Sequence, residues 1–406
     1  MSVFDDEVLA PVLRAREGKV LQIPVHLDRV KDVVSIKQKI YTALGGGSGS
    51  GKTSLVDDMY VLKPYELWRN SLKEESDITY KVLYRSMERS RSLKLAKWTC
   101  WKLYQDYKVL IDSETLLGYK KPSISDQAWE AVVKCRDWAD EMLDYVDIRD
   151  GRTTPDQYNT WVTGHALRSG TLFISDTVGV FKAGEDVYID KFSVDKFITL
   201  RTGDKELIVT FNYSGKDYHL KQGEKKYFPL KPNEITIVIA DHVGKFSAQK
   251  GLGTKKDIID KASEYNADFR DVFGYSPVAL SQFNRGVGGI DRIKYSGADL
   301  SPQIEDFKDT GSLIEDADLV LTIFNPWRYS AFDEKGIYKG YNIRDGMVNM
   351  QGENRYRQLS VLKNSYGIDD VDYGLRFWGE VNNFETLPKP EDPRLQQVYT
   401  DIANGY

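Results

Sequence analysis

The chain has 406 residues, a formal net charge of −5, 41% hydrophobic and 29% charged residues. That is core material for one large α/β domain or two domains; it excludes a disordered or strongly basic chain, so nucleic-acid contacts would come from local patches or an assembled channel. No apolar run approaches a membrane span, MSVFDDEVLAPV lacks the pattern of a signal peptide, and Cys100 and Cys135 have no metal-like spacing; a cytoplasmic protein without membrane partners is expected.

Residues 1–20 read as an acidic-started helical arm with Val8, Leu9, Val12 and Leu13 on one stripe. The main domain is expected over 21–390, with a tail over 391–406. Ile40 to Leu44 reads as a short buried strand, and LGGGSGSGKTSLVD from Leu44 to Asp57 contains Gly46-x4-Gly51-Lys52-Thr53, the Walker A spacing. Gly46, Gly47, Ser48, Gly49, Ser50 and Gly51 let the backbone wrap a phosphate with its N–H groups inward. Lys52 would reach the β- and γ-phosphates of ATP, and the Thr53 hydroxyl would ligate Mg²⁺. From Ser54 the chain would be helical, its positive end facing the phosphates. A Gly/Ser linker shares GGGSGSG but lacks the strand before it and the Lys-Thr after it.

Ile78 to Tyr84 alternates as a second strand and ends in SMERS, Ser86 to Ser90. Open α/β sheets carry their chemistry at such carboxyl ends, so Glu88 is a candidate general base for an attacking water. A glutamate favoured by a helix dipole fits the position equally. A helix follows from Arg91 to about Tyr107, and residues 110–150 read as helical and acidic. Thr154-Pro155 starts another helix, in which His165 reads as a surface or packing residue. Residues 171–230 hold short strands separated by Gly, Asp and Lys turns, a β-rich insertion that could serve as a partner platform.

Glu234 to Ala240 reads as a buried strand ending in Asp241-His242, the Walker B pattern, and Asp241 would hold Mg²⁺ opposite Thr53. His242 would sense phosphate or orient water. A Lys/Gly segment over 245–256 and a helix to about Val272 follow. Ser276 to Ser281 reads as another buried strand; Gln282 at its end would report on the γ-phosphate. Residues 285–304 read as a mobile Gly-rich loop whose Arg285, Arg292 and Lys294 would touch phosphodiesters, or as a plain surface loop. Leu319 to Phe324 reads as a further strand, Leu375 to Phe384 as two strands with a turn, and the Pro/Glu/Asp-rich stretch from Leu387 to Arg394 as the start of the tail.

Taken in order, the Walker A loop, SMERS, Asp241, LSQFNR (Leu280 to Arg285), DTGSLIEDAD (Asp309 to Asp318) and LKNSYG (Leu362 to Gly367) resemble the RecA-like motor domain of DnaB-type replicative helicases, and most closely its short phage-type members. The resemblance spans roughly residues 20–390 without the 171–230 insertion. It implies a RecA-like P-loop NTPase core with a mostly parallel central sheet. It also implies a homo-oligomer, usually a hexameric ring, with ATP between subunits and single-stranded DNA through the centre. Lys52 and Thr53 would then bind phosphate and Mg²⁺, Glu88 would be the catalytic base, Asp241 the Walker B carboxylate and Gln282 the γ-phosphate sensor. Lys308, Thr310, Gly311 and Ser312 would fall where the family holds DNA. A phage primase, polymerase or loader would be the partners, in a bacterial host cytoplasm.

Two departures stand out. Only about 20 residues precede the motor, where the family usually has a primase-interacting domain. In the family's KxRxG element an Arg reaches the neighbour's ATP, and here Ser365 takes its place. Losing such a finger costs on the order of 10³-fold in turnover. Lys363 could still reach across as a nucleotide-binding residue, or Arg355 or Arg357 substitute; otherwise hydrolysis would be slow. Two other readings stay open: a nucleotide-gated DNA-binding or assembly protein with weak ATPase, and a recombinase or regulatory RecA-like ATPase.

Overall fold

The computed structural model describes the chain except residues 1–3, 5–7, 18–20, 122–123, 177–178, 184–189, 193–195, 200–204, 214, 222, 285–299, 308–310 and 406. Nine strands make the central sheet: β1 (Thr42–Gly46), β2 (Thr79–Ser86), β3 (Val146–Asp150), β4 (Glu234–Asp241), β5 (Ser276–Gln282), β6 (Leu319–Phe324), β7 (Tyr356–Asn364), β8 (Val371–Trp378) and β9 (Asn383–Thr386). Their spatial order is β9-β8-β7-β6-β1-β5-β4-β2-β3. From β6 to β3 every pairing is parallel, while β7, β8 and β9 add on antiparallel. This is the mostly parallel α/β sheet expected.

Alternation along the strands explains the layers. Leu44, Val82, Ile237 and Ile239 enter one core with Leu55 of the helix after the loop and with Trp98 and Trp101. Their neighbours Ala43, Leu83, Val238 and Ala240 enter a second core on the other face, with Tyr158, Val162, Ile259 and Ala262. Helix α1 (Lys52–Val56) continues through π-helical turns to Glu75. With α2 (Arg91–Tyr107) it covers the first face, and α3 (Pro155–Arg168) and α4 (Lys255–Asp271) cover the second. Both Thr154 and Thr254 close capping boxes, which fixes where α3 and α4 begin.

Several expectations change. The acidic stretch 110–150 is not helical to its end: Val146–Asp150 is an edge strand parallel to β2, with Val146 and Ile148 buried and Arg149 and Asp150 outward. Its alternation competes with the helical pattern before it, and pairing to β2 decides. Of the amino-terminal arm, Ala10–Arg16 is helical, and Val8, Leu9, Val12 and Leu13 are exposed. In place of the expected tail, Arg394–Ala403 forms a helix, α5, whose Leu395 and Ile402 are buried in the second core. Leu395→Ala is therefore expected to destabilise the fold by about 2–4 kcal/mol, read as a lower denaturation midpoint. An unchanged midpoint would mean that this helix is undocked.

The insertion builds two small antiparallel sheets. One pairs Lys225–Pro229, Gly170–Asp176, Gly179–Ala183 and Asp190–Phe192; the other pairs Lys216–Lys221, Lys205–Tyr213 and Lys196–Thr199. It is rooted by Tyr227, whose hydroxyl donates to Ala166 O at 2.8 Å. Its chain ends meet α3 and the amino end of β4, so it stands at the opposite end of the sheet from the glycine loop. Among the described residues no helix is long and apolar enough to cross a membrane.

Candidate nucleotide site

The carboxyl ends of β1, β2, β4 and β5 converge on one cleft of about 120 Å³. The glycine loop lines one side, and Glu88, Arg89, Asp241, His242 and Gln282 line the other. The loop turns through Gly49 (φ +70°) and Gly51 (φ +100°), a backbone region that side chains with a Cβ disfavour, and the helix starts at the next residue, Lys52. The Lys52 ammonium folds back onto the carbonyls of Gly46 (2.8 Å) and Gly47 (2.9 Å). Burial brings its pKa down to about 8, against the upward pull of Glu88 and Asp241. A polyphosphate offers this ammonium a better partner than two carbonyls.

Thr53 donates its hydroxyl to Asp241 Oδ1 at 3.1 Å. Asp241 is only 1% exposed, and its Oδ2 accepts from Tyr84 OH at 3.2 Å. Behind it lies a cation that sequence reading missed. Lys94, fully buried on α2, stands 3.6 Å from Asp241 Oδ2 and donates to Asp57 Oδ1 at 2.9 Å. A signal existed: Lys94, Trp98 and Trp101 share one helical face, and a lysine on such a face needs a buried anion.

SMERS is tied to the strand beside it, since Met87 N donates to Asp241 O at 2.7 Å. Glu88 projects from that tie and is paired with Lys245 Nζ at 3.4 Å. Gln282 lines the cleft from an exposed position. His242 is neutral near pH 7, because burial and the nearby Lys52 charge bring its pKa down to about 4. The hydroxyl of Thr53 and the carboxylate of Asp241 suit a hard divalent cation such as Mg²⁺, which completes its shell with water and phosphate oxygens. Among the described residues, no group of three or more His, Cys, Asp or Glu side chains is placed to hold a metal ion.

A second cavity of about 280 Å³ lies beside the loop, lined by Trp327, Asn354, Arg357 and Phe377 among others. Arg357 is locked there: Nε donates to Ser50 O at 3.1 Å and Nη1 to the carbonyls of Asn354 and Tyr356. Arg355 is locked too, in a two-pronged pair with Glu380 at 2.6 Å for each contact. In this chain both arginines are thus held by partners of their own subunit. Lys363 is also not part of its own chain's site. It pairs across from Val320, which pairs with Ala43, so it sits about 10 Å down the strands and two strands across from Gly46. Its ammonium caps the carbonyls of Ile314 and Glu315 at 3.0 and 3.1 Å.

Of the residues assigned to DNA, Arg285, Arg292, Lys294, Lys308 and Thr310 lie outside the described residues. Gly311 begins a short helix, and Ser312 donates its hydroxyl to the Asp260 carboxylate. The segment before them is anchored next to the glycine loop. Phe307 bridges to Phe283, and both rings occupy the space that a Cβ on Gly45 would need.

No family model and no curated protein matches this chain. Among solved structures it is similar to an ATPase domain (TM-score 0.56, 14% identity, 96% of this chain and 100% of that one). It is also similar to a DnaB-like replicative helicase described with its interactions with primase (TM-score 0.55, 14% identity, 94% of this chain and 68% of that one). With the sheet order, the strand-end cleft and these likenesses together, the chain has the RecA-like fold of DnaB-type replicative helicases.

Proposed function

We propose that this protein is an ATP-driven translocase of the replicative-helicase kind, acting as a ring of like subunits on single-stranded DNA. The observation that carries the reading is the shared cleft. Lys52 with Thr53, Glu88, Asp241 and Gln282 were singled out from four separate stretches of sequence, and all line one cavity at the carboxyl ends of four strands. In the cycle proposed, Lys52 leaves the loop carbonyls for the β- and γ-phosphates. Thr53 and Asp241 would hold Mg²⁺, whose chemistry there would be to neutralise phosphate charge. Glu88 leaves Lys245, orients a water for in-line attack and takes its proton. Gln282 and the Phe283–Phe307 contact link the cleft to the 285–312 segment, which would carry the phosphodiester contacts through Arg285, Arg292, Lys294, Lys308, Thr310, Gly311 and Ser312. A phage origin, a host-cytoplasm location and a primase, polymerase or loader partner belong to the same proposal.

One observation favours a second reading, a nucleotide-gated DNA-binding protein with weak hydrolysis. Ser365 replaces the finger arginine, and the Arg355 and Arg357 substitutes are both tied down in their own subunit. ATP turnover with and without single-stranded DNA separates the two. The helicase reading expects DNA to raise turnover and Lys52→Ala to lower it about 10²-fold or more. Hydrolysis that Lys52→Ala leaves intact would refute the cleft assignment. Tight ATP binding with negligible turnover on DNA would favour the second reading, and electron microscopy of the ATP-bound protein on DNA would show whether rings form.

A further inference from the structure

We infer that His242 is a direct reader of the terminal phosphate, giving the cleft its preference for nucleoside triphosphate over diphosphate; this deepens the nucleotide-site reading above and rests on it. His242 is 8% exposed, lines the phosphate cleft, and follows Asp241 directly at the end of β4. Its Nδ1 accepts the backbone N–H of Gly244 at 2.9 Å. An imidazole nitrogen that accepts has no proton, so the proton of the neutral ring is on Nε2. That Nε2 is buried and has no hydrogen-bond partner among the described residues. A buried donor without a partner costs about 1–3 kcal/mol, and a phosphate oxygen would satisfy it once binding displaces the atoms that now cover it.

The ring is held for this purpose. A Cβ on Gly244 would stand 2.7 Å from the His242 Cε1 and 3.0 Å from Nδ1, so the turn after β4 needs glycine to keep the imidazole where it is. The contrast with Gln282 is instructive. Gln282 lines the same cleft from an exposed position and must be ordered when phosphate arrives. His242 is already ordered, so its hydrogen bond comes at little entropic cost.

The test measures binding of the Mg²⁺ complexes of ADP and of the non-hydrolysable β,γ-imido analogue of ATP to the full chain. His242→Ala is expected to weaken the triphosphate analogue about tenfold to a hundredfold, the worth of one hydrogen bond to a charged group, and to leave ADP within about twofold. His242→Gln restores an N–H donor near the same place and is expected to recover most of the loss. Gly244→Ala, which displaces the ring without removing it, is expected to show the His242→Ala pattern in milder form. Thermal melting of each variant controls for folding; should His242→Ala not fold, the glutamine and Gly244 variants decide. Equal losses for both nucleotides, or no loss for either, would overturn the proposal. A wild-type chain that binds neither nucleotide would bring down the nucleotide-site reading and this proposal with it.

Discussion

Glu88→Gln is expected to leave the protein folded and able to bind ATP with Mg²⁺, while turnover falls about 10³-fold. The Glu88 carboxylate projects from a segment pinned by the Met87 N to Asp241 O hydrogen bond, within the cleft that holds the glycine loop. Its one ion pair among the described residues, to Lys245, joins side chains that are 38% and 40% exposed, and such a pair contributes about 1 kcal/mol or less. Glutamine keeps the size and the hydrogen-bonding capacity but cannot take a proton from water. The loss should therefore appear in single-turnover phosphate release and not in nucleotide affinity or melting temperature. Lys245→Met removes the competing cation and is expected to leave turnover intact or to raise it. If Glu88→Gln hydrolyses ATP at the wild-type rate, the dipole-stabilising role of a helix-terminal glutamate is the correct reading.

The parts of this site legible in sequence share one property: each is a local pattern. Strand, glycine loop and helix start are encoded in consecutive residues, and so are an apolar run ending in Asp241 and an alternating run ending in SMERS. Their convergence follows once parallel pairing aligns the carboxyl ends of the strands. What sequence could not show were partnerships across long separations. Arg357 buttresses Ser50 across 307 positions, and an arginine spacing cannot reveal that. Lys363 reads as a candidate for a nucleotide, and antiparallel pairing of β7 carries it to the end of the sheet away from its own chain's glycine loop. Val146–Asp150 is a strand because β2 offers it an edge, which composition does not report. The carboxy-terminal helix reads as a tail because Leu387 to Arg394 is rich in Pro, Glu and Asp, yet Leu395, Val398, Tyr399 and Ile402 recur at helical spacing and meet the second core.

The largest stability effect is expected at Lys94, a residue outside every recognised motif. Its side chain and that of Asp57 are both 0% exposed, with Nζ 2.9 Å from Oδ1 and 3.2 Å from Oδ2. The same ammonium lies 3.9 Å from the centre of the Tyr84 ring and 3.6 Å from the Asp241 carboxylate. Two buried carboxylates thus share one buried cation. Lys94→Met keeps the volume and removes the charge, leaving Asp57 without its counter-ion in a site that water does not reach. A loss of about 3–5 kcal/mol of folding stability is expected, because an uncompensated buried charge costs more than the pair contributes. Pairing it with Asp57→Leu should recover much of that loss, since replacing both partners by apolar groups is often near neutral. Chemical denaturation of the two single variants and the double variant measures the coupling directly. The double variant keeps Asp241 but not the cation behind it, so its Mg²⁺ requirement for nucleotide binding should differ from wild type even where stability is restored. A single-variant loss below about 1 kcal/mol, typical of solvated pairs, would show that water reaches this cluster in solution, and the rigid backing assigned to Asp241 would then have to be abandoned.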